Sequence, residues 1–341
     1  HKVFARSALD AVRDELEALT PWRAVFARDY AQNVVGENVV AAGSMREQID
    51  TLTRDVETFR KARGVDRVVM VNLASTETFL APTEEHASLE RFEAGIDSGS
   101  AAITPAMRYF YVAARLGIPY CNFTPSLTNV PALAALAAKT KTPYAGMDGK
   151  TGQTMLKTAL AAAFRVRRLH IDGWFSTNVL GNDDGLVLDA PGSNKTKVLS
   201  KQSVLDSVVG YPVDNHQVHI HYYKPRGDSK EAWDNIDISG FAGMPMQIKV
   251  NFLCQDSALA APLVIDLVRL LDVAKQHGEH GIQRQLSLFF KSPYHAEGET
   301  PMHDLFKQEK LLLDWAREHA SPAKRPPAHT NGTHLAADGA E

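Results

Sequence analysis

Apolar residues at Met45, Ile49, Leu52, Val56 and Phe59 recur at the three-to-four spacing of one helical face, and Gly64 supplies a stop. Arg67 to Leu73 reads as a buried strand, and a helix is expected near Thr83 to Ala94. Thr104-Pro105 opens another helix, with proline at its first position, ending before Gly117. Ile118 to Phe123 and Pro143 to Met147 are two more short strands, separated by an Ala-rich helix over 131–139. Strands that alternate with helices predict a parallel sheet with helices on its faces. Ligands meet such sheets at the carboxyl ends of the strands, here Ala74-Ser75-Thr76-Glu77, Asn122 to Thr124 and Asp148.

Near residue 150 the pattern changes. Leu156, Ala159, Leu160, Ala163 and Phe164 mark a helix that follows the turn-rich run Asp148 to Thr154. Longer strands are then expected at Leu169 to Val179, Gln217 to Tyr223 and Met246 to Leu253. In the last, Met246, Ile248, Val250 and Phe252 alternate with Gln247, Lys249 and Asn251. One apolar and one polar face is the signature of an antiparallel sheet. Helical spacing resumes from Ser257, with Leu263, Leu267, Leu270 and Leu271. The second sheet therefore reads as an insertion into the first domain. The amino-terminal stretch predicts one helix over 5–19 and gives no clear pattern over 20–44. After about Glu318 the composition turns rich in Pro, Ala and Gly, which predicts a disordered tail.

Composition narrows the function. The 341 residues are 44% hydrophobic and 23% charged, with a net charge of -3 and a pI near 6.5. That is globular composition without the basic excess of a nucleic-acid or membrane-surface binder. Two cysteines, Cys121 and Cys254, make no disulfide framework and point to a reducing compartment. No apolar run reaches the roughly 20 residues of a membrane span; Ala258 to Ala274 is interrupted by Pro262, Asp266 and Arg269.

The candidate chemistry lies in polar runs between these elements. Backbone N–H groups of Thr151, Gly152, Gln153 and Thr154 would begin a helix, where the dipole and unpaired donors favour an anion. The same run also suits a plain helix cap. Gly181-Asn182-Asp183-Asp184-Gly185 follows a strand and is either a tight acidic turn or a set of polar groups aimed at a ligand. Ser200 is expected to cap a helix that runs to Gly210, which would put Lys201 in its first turn, a position unfavourable for a cation. Lys195, Lys197 and Lys201 equally suit a solvated surface. Gly227-Asp228-Ser229-Lys230 reads as a third polar turn, and Lys291 follows an apolar run. A lysine in a dry pocket can serve as a base near neutral pH. His219 and His221 would share a strand face beside His216, but no third ligand has convincing spacing, so no metal site is expected.

Taken in order, these motifs resemble the myo-inositol-1-phosphate synthase family, in its shorter microbial form. They are Ala74-Ser75-Thr76-Glu77; Asp148 with Thr151-Gly152-Gln153-Thr154; Leu180 to Gly185; Ser193 to Lys201; Gly227 to Lys230; Cys254-Gln255-Asp256-Ser257 with Leu259 to Pro262; and Lys291. The resemblance covers about residues 45–295. It implies a Rossmann-like NAD-binding domain over 1–150 and an inserted α+β catalytic and tetramerisation domain over 151–256. Residues 257–318 would return to the first domain and 319–341 form the tail.

The activity implied is NAD-dependent isomerisation of glucose 6-phosphate to an inositol phosphate, in a cytoplasmic homotetramer without membrane or nucleic-acid partners. Oxidation at C5 acidifies C6, the enolate attacks the C1 aldehyde, and C5 is then reduced again. The family resemblance assigns catalysis to Lys197, Lys201, Lys230, Lys291, Asp148, Asn182, Asp184 and Asp228. It gives the phosphate to Thr151, Gly152, Gln153 and Thr154. NAD goes to Ala74, Ser75, Thr76, Thr124, Asp148, Asp184, Asp256 and Ser257. Lys197 is expected to transfer the proton at the C5 oxygen.

The sequence departs from the family in two ways. Ser75 stands where the family has Asn, and Met147-Asp148 replaces an acidic pair. The family's Gly-rich NAD loop is not found in these 341 residues, and the βα unit that carries it is expected upstream of His1.

Overall fold

A computed structural model describes residues 4–320, apart from Val35, Ala42 and Ser203. The expected tail therefore lies almost wholly outside the described residues. The expected helix over 5–19 is two short exposed pieces, α1 (Arg6–Ala11) and α2 (Arg13–Glu17), broken at Val12. Leu9, Val12, Leu16 and Leu19 are all exposed. Residues 20–44 are largely irregular, with one isolated bridge between Ala24 and Val39.

The helix expected from Met45 is α3 (Met45–Arg63). The Ser44 hydroxyl accepts from the Glu47 amide at its start, and Gly64 closes it in the left-handed region at φ 60°. Three short strands follow, β1 (Met70–Asn72), β2 (Tyr120–Asn122) and β3 (Pro143–Gly146). Between them run α4 (Leu89–Ser98), α5 (Pro105–Arg115) and α6 (Pro131–Lys139). With β8 (Gly281–Ile282) the strands form a parallel sheet in the order β1-β2-β3-β8, Asn72 lying opposite Asn122 and Asn122 opposite Gly146. One face is covered by α3 to α6 around Phe110, which stacks on Tyr120 at 4.5 Å. The other is covered by α11 (Asp256–Gln276), through Leu267 and Leu271. The sheet thus sits between two helical layers, a Rossmann-like arrangement.

The second sheet is built from β4 (His170–Leu180), β5 (His216–Tyr222), β6 (Lys230–Ser239) and β7 (Pro245–Cys254), in the order β5-β4-β6-β7. It is mixed rather than purely antiparallel, because β5 runs parallel to β4. The chain leaves β4 through three helices, α8 (Asp183–Leu188), α9 (Pro191–Gln202) and α10 (Val204–Val209). A crossover of that length returns the chain to the starting end of the sheet. β6 lies antiparallel to both β4 and β7.

The helix α7 (Gln153–Val166), with α10, packs its Ala161, Ala162 and Phe164 on one face of this sheet, against Trp174 and Ile236. The opposite face leaves Phe175 46%, Trp233 48% and Leu253 59% exposed. The chain crosses from the first sheet to the second at residues 147–152 and back at 254–257. The carboxy-terminal α12 (Leu305–His319) then packs on the segment before Lys291 and on α7. Among the described residues no helix is long and apolar enough to cross a membrane.

Phe110 is fully buried against Tyr120 and Tyr144. Phe110→Ala is expected to cost about 3–5 kcal/mol of stability, read as a lower urea midpoint with an unchanged slope.

Candidate active site

A cavity of about 590 Å³ opens between the two sheets, at the carboxyl ends of β1 and β2. That size falls within the usual range for small-molecule sites. Its first wall carries Ala74, Ser75, Thr76 and Thr124. Two buried asparagines shape that wall. Asn72 Oδ1 accepts the Ala74 amide at 3.1 Å, and Asn122 Oδ1 accepts the Thr124 hydroxyl at 3.0 Å. The opposite wall is Asp256 and Ser257 at the start of α11, with Ala260, Ala261, Val264 and Ile265 beyond them. Asn182, Asp184, Asp228 and Lys230 come from the second sheet's end, and Lys197 from α9. Asp148, Thr151 and Lys291 complete the cavity.

Asp148 lies at its centre and is 1% exposed. Its φ of 63° is a left-handed conformation that costs a non-glycine residue about 1–2 kcal/mol. The turn is held by its amide, which donates to the Thr124 carbonyl at 3.0 Å, and by the Lys291 amide, which donates to the Asp148 carbonyl at 2.7 Å. Gly149 follows because a Cβ there would overlap the Phe123 ring. Asp148 Oδ1 accepts from both Lys197 Nζ and Lys291 Nζ, each at 2.8 Å. Oδ2 accepts the Ser200 hydroxyl at 2.8 Å. A second pair closes the far side: Lys230 Nζ donates to Asp256 Oδ2 at 2.8 Å, and the Thr151 hydroxyl donates to Asp256 Oδ1.

Burial opposes ionisation of Asp148, but Lys197 and Lys291 outweigh it and hold the carboxyl well below the usual range. Asp256 is also held low, burial again being overcome, here by Lys230 and Lys291. The two lysines on Asp148 diverge. For Lys197, burial is outweighed by Asp148 and Asp184, and its pKa rises. For Lys291, burial dominates, Lys197 and Lys230 add repulsion, and the pKa falls to about 8. One ammonium stays charged while its neighbour can give up its proton near neutral pH.

Fourteen of the expected site residues thus line one cavity. Gly152, Gln153 and Thr154 do not. Gln153 and Thr154 are buried, the Gln153 amide donates to Asp234 at 2.9 Å, and Gly152 lies against Phe252. The Lys201 side chain lies outside the described part of the structure.

Two local expectations are corrected. Ser200 is not an N-cap but lies near the end of α9, with its hydroxyl on Asp148. Lys201 is consequently in a last turn, where the dipole favours a cation. The Gly181 to Gly185 run is the start of α8, with Asn182 Oδ1 accepting the Gly185 amide at 3.1 Å. His219 and His221 do share a face, their rings 6.2 Å apart.

Sequence reasoning missed Ser200 as a partner of Asp148. It also missed Glu77, whose carboxyl accepts the Ala106 amide at 2.9 Å and is raised to about 7 by burial. Lys150 went unnoticed too; its ammonium donates to Gln308 of α12 at 2.6 Å. Sequence carried a signal for Glu77, as the last letter of the strand-end motif, and for Ser200, inside the Ser193 to Lys201 motif, but none for Lys150.

Hydroxyls at the ends of parallel strands, facing lysines held on carboxylates in a cavity between two sheets, define a Rossmann-like α/β protein with one charged small-molecule site. The chain belongs to the myo-inositol-1-phosphate synthase family, an NAD-binding family whose profile matches residues 1–317. It is 43% identical over 325 residues to inositol-3-phosphate synthase 1 of Bacteroides thetaiotaomicron, spanning 93% of this chain and 76% of that one. It is 30% identical over 323 residues to inositol-3-phosphate synthase 1 of Oryza sativa, spanning 88% of this chain and 64% of that one. The crystal structure of inositol-3-phosphate synthase from Caenorhabditis elegans aligns with a TM-score of 0.88 at 26% identity, over 94% of this chain and 66% of that one. The chain therefore spans between about two thirds and three quarters of the length of these relatives.

Folding linkage provides a direct check on Lys291. Its folded pKa of about 8 lies below the unfolded value of about 10.4. Between those values the unfolded chain holds the extra proton, so stability from this group rises with pH and is lost as pH falls through 8. Lys291→Met is expected to remove up to about 1.4 kcal/mol per pH unit of that slope, measured by urea unfolding from pH 8 to 10.

Proposed function

We propose that this chain carries the catalytic centre of an inositol-phosphate synthase, converting D-glucose 6-phosphate to 1D-myo-inositol 3-phosphate with NAD. The observation that carries the reading is the single carboxylate, Asp148, shared by two buried lysines of opposite pKa tendency in a cavity at the strand ends. Cyclisation of a sugar phosphate needs a base to remove a proton beside a carbonyl and a fixed positive charge for the oxyanion that forms. Lys291 can supply the first and Lys197, which keeps its proton until the C5 oxygen takes it, the second; the ionised Asp148 holds both ammonium groups in place. Lys230, held by Asp256, and Thr151 support a phosphate at the other end of the cavity. Gly152, Gln153 and Thr154 would serve through backbone amides, since the Gln153 side-chain amide is engaged elsewhere. Asn182, Asp184 and Asp228 orient the lysines and the sugar hydroxyls.

The donor set also fits the nicotinamide end of NAD. Ser75, Thr76 and Thr124 offer hydroxyls across from Ser257 and the apolar side of α11. Bound there, NAD would supply reversible hydride transfer at the sugar, with no net NADH. Among the described residues, β1 is followed by an irregular stretch over 73–83 rather than by a Gly-rich turn into a helix that could cradle the pyrophosphate.

The division into 1–150, 151–256 and 257–318 is supported by the two sheets and by the crossing points. A homotetramer would cover the exposed Phe175, Trp233 and Leu253 on the open face of the second sheet, and a cytoplasmic location fits the two free cysteines.

The test is NMR of glucose 6-phosphate incubated with the chain and NAD. A cyclic phosphate without NADH build-up is the expected result; stoichiometric NADH would mean a simple dehydrogenase instead. Lys197→Ala is expected to lose at least about a hundredfold in turnover while binding NAD normally. Turnover within a few-fold of the parent would take Lys197 out of the chemistry.

A further inference from the structure

Behind the cavity, between α7 and the second sheet, lies a buried polar set that lines no part of the site. Asp234, on β6, is 5% exposed. Its Oδ1 accepts from Trp174 Nε1 at 2.7 Å and from the Ser176 hydroxyl at 2.5 Å. Its Oδ2 accepts from Gln153 Nε2 at 2.9 Å. Lys157 donates to Ser176 Oγ at 3.1 Å, lies 2.7 Å from His216 Nε2, and sits 5.3 Å from the Trp174 ring centre.

Gln153 and Lys157 are four residues apart, so both leave α7 from the same side. A polar set buried in such a place gives little net stability over apolar packing of similar volume. Its distinctive effect is direction. The apolar contacts of Ala161, Ala162 and Phe164 would tolerate a small roll of α7 about its axis; hydrogen bonds at two successive turns would not.

That roll matters at one end of the helix. Thr151 stands two residues before Gln153, lines the cavity, and donates to Asp256, which also holds Lys230. Gly152 is pressed on Phe252 so closely that a Cβ there would lie 2.7 Å from the ring. A rotation at Gln153 would therefore shift Thr151 at the cavity wall, and with it the hydroxyl that holds Asp256.

We propose that Asp234 is a positioning residue which, through Gln153, sets the rotation of α7 and so aims its first turn at the substrate phosphate. The inference rests on the functional reading above. It assigns Gln153 to the scaffold rather than to direct side-chain contact with the anion.

The test uses Asp234→Asn, Gln153→Met and their double variant, with glucose 6-phosphate binding by calorimetry and folding by circular dichroism. Each single change is expected to weaken binding about tenfold, the order a small misplacement costs. The double variant should be no worse than Asp234→Asn alone, because the effect of Gln153→Met on α7 passes through a contact that Asp234→Asn already disturbs. In turnover assays the loss should fall on KM rather than kcat. Folded single variants that bind within twofold of the parent overturn the proposal, as does a double variant whose loss is the product of the two singles. If Asp234→Asn does not fold, Gln153→Met decides by the same criterion. A parent chain that binds no glucose 6-phosphate overturns the functional reading and this inference together; normal parent binding with unaffected variants overturns this inference alone.

Discussion

The structure depends on one buried carboxylate. Asp148 ends the segment that leaves β3, Lys197 and Ser200 stand on α9 beyond the second sheet's first strand, and Lys291 returns from the far end of the chain. Three distant segments thus meet on two oxygens. A carboxylate so thoroughly removed from water is tolerable only while its partners are present, since an unpaired buried charge costs several kcal/mol. The same condition serves chemistry. Two ammonium groups cannot both be fully stabilised by one oxygen, so the site holds one cation firmly and the other loosely.

The parallel half of the fold was legible because its signals are local. Ser44 and Gly64 bound α3, Thr104-Pro105 starts α5, and 131–139 matches α6 to the residue. In these elements the apolar spacing answers to packing alone. The second half was harder where inward positions are not apolar. β6 went unrecognised because its inward side includes Lys230 and Asp234, which break the alternation that marks a strand. α9 was misplaced for the same reason: Pro191 to Gln202 carries serines, lysines and an asparagine, and Ser200 looks like a cap when its partner is unknown. Local patterns failed at the residues that face the site, as expected where chemistry overrides packing.

Motif order picked out most of the named residues that line the cavity, while the wiring among them was not legible. Nothing in the letters says that Gln153 turns inward to Asp234, or that Lys150 reaches Gln308. Such contacts join residues 81 and 158 positions apart, and no short-range pattern encodes them. The sign of each lysine's shift is equally hidden, because it depends on the balance between burial and the charges that surround the group once the chain is folded. Lys197 is flanked by Asp148 and Asp184; Lys291 has Asp148 as well, but also Lys197 and Lys230 against it.

The two crossings between the sheets are themselves parts of the site. The outgoing one carries Asp148 and Thr151, and the returning one carries Asp256 and Ser257. The Thr151 hydroxyl on Asp256 joins them side by side. In many two-part enzymes the cleft can open because the connecting strands are free to flex. Here those strands are bonded to each other and to Lys230 and Lys291, so motion between the sheets would have to break the site's own ion pairs. The cavity is therefore held in a preorganised form by the groups that act in it. A substrate phosphate arriving near Lys230 would compete with Asp256 for the same ammonium, a local exchange of one anion for another that needs no separation of the two sheets.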